Sequence, residues 1–151
     1  ELTSDVKRDQ LSTELAQAAL VDVIRRFPDS DYARDAVLKL DLTSDHLAGK
    51  EMDVGRYYLK RRHFVAASVR FSNVIRNYPR TSHVPEALHR LTEVYVSLGV
   101  DAEAQNAAAV LGYNYPDSSW YRDSYRFLVK NELTPKENPS SWISRALDKV
   151  F

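Results

Sequence analysis

Four histidines, His46, His63, His83 and His89, are the side chains in this 151-residue sequence best suited to grip a metal or pass a proton. No two of them stand four apart and none sits in an HExxH setting, so no pair shares a helical face in the way a zinc site requires. Solvated or helix-capping roles fit them better. Glu51 and Asp53 are the nearest approach to an acid–base pair, but residues two apart on a helix point to different faces. The sequence has no cysteine, no nucleophile elbow, no phosphate loop and no GxGxxG. This residue set predicts no enzyme, no metal and no cofactor.

Recognition chemistry is better represented. The run RYYLKRRH at 56–63, followed by Arg70, Arg76 and Arg80, is locally basic in a chain whose 21 Lys and Arg balance 21 Asp and Glu. Arg61 and Arg62 can be read as a docking patch for an acidic partner surface, or as cations that complement the C-terminal end of a helix. A net charge of zero argues against nucleic acid. Among the aromatics, helical register assigns Tyr58, Phe64, Phe71 and Tyr95 to a core and leaves Tyr57 and Tyr32 free for a surface role.

The elements that position these residues are marked by a phrase written three times: RRFPDS at 25–30, RNYPRT at 76–81 and YNYPDS at 113–118. Looking back from Pro79 gives Gly55 and Tyr58 in a first helix, then Phe64, Ala67, Phe71 and Val74 in a second. The same distances from Pro116 give Thr92, Tyr95, Asp101, Ala104, Ala108 and Leu111, and from Pro28 they give Thr13, Ala16, Leu20 and Val23. A small residue, a bulky one four on, another three on and then proline is the pattern of crossing helices in a helical-hairpin repeat, and it resembles the tetratricopeptide repeat. With only four glycines and little strand-type alternation, the fold class is all-α: a solenoid of stacked helical hairpins.

The polar triplets after each proline, DSD, RTS and DSS, are expected to cap helices restarting near 31, 83 and 118, with Pro85 in a first turn. The longer interval between Pro28 and Pro79 predicts one extra-long helix, bent near Gly49 or Gly55. Residues 1–130 are read as repeats, the first cut short at its N-terminus, and NELTPKENP at 131–139 as a linker. Residues 140–151 form a short amphipathic helix whose stripe includes Trp142, Ile143, Leu147, Val150 and Phe151. Too short to stand alone, it is expected to dock on a partner subunit or on the last repeat helix around Trp120 to Leu128. No apolar run approaches the ~18 residues of a membrane helix.

The segments HLAGKEMDVGRYYLKR and TSHVPEALHRL, and more broadly residues 5–130, resemble the BamD family, lipoproteins of the outer-membrane β-barrel assembly machinery. The resemblance implies a periplasmic scaffold at the outer membrane that binds BamA through its polypeptide-transport-associated domains, works with other subunits of the machinery, and helps hand over unfolded barrel precursors. It also implies a leader, an acylated cysteine and two further repeats upstream, so that membrane contact comes only through a lipid anchor outside this sequence. Arg70 matches an arginine in the family's region that meets the membrane-proximal transport-associated domain, which implies an ion-pair role. Together with the basic run, the aromatic register and the C-terminal stripe, this puts expected partner contacts at Arg70, Arg61, Arg62, Tyr57, Trp142 and Phe151, while the repeat pattern puts Gly55, Tyr58, Ala67, Phe71, Tyr95 and Ala104 in the core. Two other readings are a generic repeat adaptor and the helper domain of a cell-envelope enzyme.

Overall fold

The computed structural model describes the backbone of residues 2–151 and the side chains of residues 8–151; Glu1, where the expectation of a repeat cut short begins, lies outside the described residues. Seven helices and no strand occur among the described residues: α1 (Leu2–Arg26), α2 (Asp31–Lys60), α3 (Phe64–Asn77), α4 (Val84–Ser97), α5 (Asp101–Asn114), α6 (Ser119–Lys130) and α7 (Trp142–Leu147). No helix among them is long and apolar enough to cross a membrane. The chain divides into two compact units, Glu1–His46 and Leu47–Phe151, with α2 running unbroken through the boundary.

Two kinds of corner alternate along the chain. Helices α1, α3 and α5 end on an aromatic residue before proline, because Pro disfavours the α conformation in the residue that precedes it. Tyr78 and Tyr115 leave the helix with nearly the same backbone angles, φ −134° in both and ψ 51° and 58°. In each copy the aromatic N–H still bonds back into the helix, to the carbonyls of Val23, Val74 and Leu111, at 3.0, 3.0 and 2.8 Å. Each aromatic carbonyl then accepts from the third residue on, Ser30, Thr81 or Ser118, closing a turn with proline at its second position. The repeated phrase is thus the complete chemistry of one corner.

Helices α2, α4 and α6 stop differently. Arg62, Gly99 and Glu132 adopt φ values of 62°, 75° and 61°, in the left-handed region. The residue after each, His63, Val100 or Leu133, donates its N–H to Tyr58, Tyr95 or Leu128, at 3.0, 2.8 and 2.9 Å. This is the Schellman arrangement, which satisfies carbonyls left over at a helix end. Glycine is the usual residue there; two of these three corners use a charged residue instead.

Within unit 1, Ala33 and Ala36 near the start of α2 are buried. An open groove of about 590 Å3 runs between Ala16, Ala19, Leu20 and Val23 of α1 and Lys39, Leu42 and Thr43 of α2. In unit 2 one core gathers Met52 of α2, Ala67, Phe71, Val74 and Ile75 of α3, Leu88 and Leu91 of α4, Ala107 and Leu111 of α5, and Ile143 and Leu147 of α7. Gly55 serves close packing in an unbroken helix: a Cβ there would fall 2.5 Å from Cε1 of Phe71. Gly112 does the same for α5 and α6, where a Cβ would meet the Tyr121 ring at 2.4 Å.

Three expectations are corrected. Ser30 and Ser118 cap α2 and α6 with their hydroxyls, accepting from the N–H groups of Ala33 and Trp120, but the N-cap position of α4 falls just after the middle triplet. His83 holds that capping position without a side-chain cap bond, while the Thr81 hydroxyl turns back to the Tyr78 carbonyl. His89 is neither solvated nor a cap: it is buried, 2.8 Å from the Ser124 hydroxyl of α6 and 3.5 Å from Glu93, with its ring beside Trp120. And α7 seats on α3 and α5 rather than on α6.

Candidate docking surface

The α2–α3 corner presents the most concentrated positive charge of the predicted sites. Tyr57 is 53% exposed, and the central carbon of the Arg61 guanidinium lies over its ring, 4.0 Å from the centroid. A cation held against an aromatic face in this way is attracted by the ring and can still donate N–H groups to an acceptor. Arg62, at the left-handed elbow, hangs 5.8 Å from the Phe64 ring. Lys60, Arg61 and Arg62 have no ion pair with any described residue. The Schellman turn, rather than a flexible loop, sets their direction.

Arg70 stands about two helical turns further along α3 and is not part of that cluster. Its Nη1 donates to Oε1 of Glu51 at 3.2 Å, and Asn73 donates to Oε2 of the same carboxylate at 3.0 Å. The Arg70 side chain remains 39% exposed, so part of its fork stays open to solvent. Asp53 turns to another face of α2 and pairs with Arg56, as residues two apart should.

Arg56, read in the sequence as part of the basic run, is consumed inside the unit. Its Nε and Nη2 donate to both oxygens of Glu86 on α4, at 2.9 and 2.6 Å. Arg90 donates to Glu86 and to Glu93, which continues the chain of charges along α4 toward His89. Burial alone would raise the pKa of Glu86; hydrogen bonds and charge from Arg56, then Arg90, outweigh it and leave the carboxyl below its ordinary value. Glu93 is lowered in the same way, with His89 and Arg90 overcoming the effect of burial. The Arg56 pKa is raised, first by its hydrogen bond to Glu86.

Trp142 lies elsewhere and is largely committed to the chain's own fold. Its Nε1 donates to the Tyr95 hydroxyl at 3.2 Å, and the Arg76 guanidinium covers its ring at 4.3 Å. The segment before it is pinned by Asn106, a fully buried polar residue of α5 whose importance had no signal in the repeat pattern. Asn106 Oδ1 accepts from the Asn138 N–H at 2.7 Å and the Ser144 hydroxyl at 3.2 Å, and Ser141 donates to Glu103 at 2.7 Å. Phe151 is exposed, edge-on to Tyr115. Of the core positions, Ala67, Phe71 and Ala104 are fully buried, Gly55 is packed under Phe71, and Tyr58 and Tyr95 are partly buried against the same core.

A family model described as YfiO, outer membrane lipoprotein, matches residues 1–111. The chain belongs to this family. Its relatives include the outer membrane protein assembly factor BamD of Caulobacter vibrioides, 53% identical over 135 residues, which cover 89% of this chain and 44% of that protein. The protein of the same name from Rickettsia prowazekii is 54% identical over 130 residues, covering 86% of this chain and 51% of the relative. In Neisseria meningitidis the identity is 35% over 119 residues, 79% of this chain. The chain therefore spans about half the length of the relatives it matches, and the YfiO match ends inside α5.

Proposed function

We propose that this chain is a non-enzymatic scaffold of the outer-membrane β-barrel assembly machinery, acting at the periplasmic face of the outer membrane and docking BamA through its polypeptide-transport-associated domains. Family membership supports the setting, since the relatives are named assembly factors. The observation that carries the docking reading is the cation cluster: Arg61 over an exposed Tyr57, beside Lys60 and Arg62, none of them ion-paired with a described residue. Such a surface selects an acidic partner and speeds its approach. Arg70 adds a second contact on the α3 flank, where the open edge of its fork can take a partner carboxylate beside Glu51. Other subunits, unfolded barrel precursors and a lipid anchor outside this sequence complete the reading.

Binding of the purified protein to the isolated transport-associated domains of BamA tests it directly. Arg61→Glu with Arg62→Glu should weaken association by roughly tenfold or more at low salt, and the loss should shrink as salt rises. Arg70→Glu should cost a similar factor, whereas Glu51→Gln, which frees the arginine without removing it, should not weaken binding. If the charge reversals leave affinity unchanged at low salt, the interface lies on another face.

A further inference from the structure

The C-terminal end of α5 and the segment carrying α7 enclose a groove of about 490 Å3, a volume within the range that holds a small ligand or a few side chains. Its apolar part comes from Val110 and Leu147, both buried, and from Pro139. Tyr113 and Phe151, 79% and 66% exposed, place two rings at its edge.

The charge of this groove has one sign. Glu137 and Asp148 line it, neither is ion-paired with a described residue, and no lysine, arginine or histidine is among the lining side chains. The negative end of the α5 dipole lies at the same place, since Tyr113 and Asn114 are its last residues. Pro116 has no N–H with which to cap the carbonyl of Gly112, and no backbone donor reaches the carbonyls of Tyr113 or Asn114 among the described residues. Apolar walls, exposed aromatic faces, two free carboxylates and a helix C-terminus converge on one ligand chemistry. That chemistry is a cation on an apolar stem, with an apolar neighbour.

We infer that this groove is a docking site for a partner-protein segment that inserts an arginine flanked by bulky apolar residues. The guanidinium meets Glu137 and Asp148, and its stem and neighbours cover Val110, Leu147 and the Tyr113 ring. This surface is separate from the α2–α3 corner and has the opposite charge. It stands independently of the reading given above, and the two can fail independently.

The test uses the intact protein and two capped peptides, Ala-Leu-Arg-Phe-Ala and its twin with glutamate in place of arginine, titrated into a 15N-labelled sample. The arginine peptide should shift the amides of Tyr113, Ser144 and Phe151, and the glutamate twin should bind at least about fivefold more weakly. Glu137→Gln with Asp148→Asn should erase most of that difference without moving the melting temperature. Tyr113→Ser, which leaves both carboxylates in place, should weaken the arginine peptide as well. Equal binding of the twins would make the groove an indiscriminate apolar seat, and shifts confined to other residues would remove the site; either result overturns the inference.

Discussion

Phe71 lies across Gly55 with no room for a methyl group between them: a Cβ on the glycine would sit inside the ring's van der Waals envelope, 2.5 Å from Cε1. Gly55→Ala must therefore displace a fully buried ring, and overpacking of this kind costs about 1–3 kcal/mol. Phe71→Ala should cost about 3–5 kcal/mol through lost burial and a cavity. Urea denaturation should give the double substitution Gly55→Ala, Phe71→Leu a smaller loss than the sum of the two single changes, because Leu leaves space for the new methyl group.

The elbow at Arg62 has the opposite sign. A non-glycine residue in the left-handed region costs about 1–2 kcal/mol relative to the right-handed one, a cost glycine largely escapes. Arg62→Gly should raise stability by up to about 1 kcal/mol in thermal melts while removing one cation from the proposed docking corner. Glu132→Gly, at the matching elbow after α6, should stabilise by a similar amount with no effect on binding there. Stability and affinity moving in opposite directions at Arg62 alone is the diagnostic result.

Acid should strike the α2–α4 ion network. Glu86 and Glu93 both titrate below the ordinary glutamate value in the folded chain, so their extra stabilisation is complete above the unfolded value of about 4.3. It drains away as pH falls through their lowered folded-state values. Melting temperature followed downward from about pH 6 should drop steeply below about pH 4.3. Glu86→Gln should start less stable at neutral pH and show a shallower acid slope.

The Asn106 clamp predicts a local effect. Asn106→Ala leaves the Asn138 N–H and the Ser144 hydroxyl without their shared acceptor in a partly buried setting, at a cost of about 1–3 kcal/mol. Hydrogen exchange should show amides of residues 138–147 losing protection while those of α3 and α4 keep theirs. Uniform loss of protection across unit 2 would instead mean that α7 and the hairpins unfold as one.

The aromatic–proline corners were readable because their determinants are local: proline restricts the residue before it whatever the tertiary setting. The left-handed elbows were not, since only Gly99 carries the composition such a corner normally shows, and Arg62 and Glu132 disguise theirs. Register sufficed for Ala67 and Phe71, whose burial follows from the crossing of neighbouring helices. It failed for His89, whose burial depends on Trp120 and Ser124 arriving from α6, and for Arg56, whose partner Glu86 is 30 residues away. The C-terminal stripe was legible as amphipathic, but its seat on α3 and α5 depends on Asn106 and Tyr95, polar groups that no hydrophobic pattern singles out.

The α7 clasp also has a kinetic meaning. Each corner joins helices adjacent in sequence, so the hairpins of unit 2 close short loops, which form quickly. The bond from Trp142 to Tyr95 closes a separation of 47 residues, and those from Asn106 to Ser144 close 38. These contacts have surfaces to land on only after α3, α4 and α5 have packed, so the clasp is a late folding event. By the same order it is an early point of release, at which the core residues Ile143 and Leu147 first meet water.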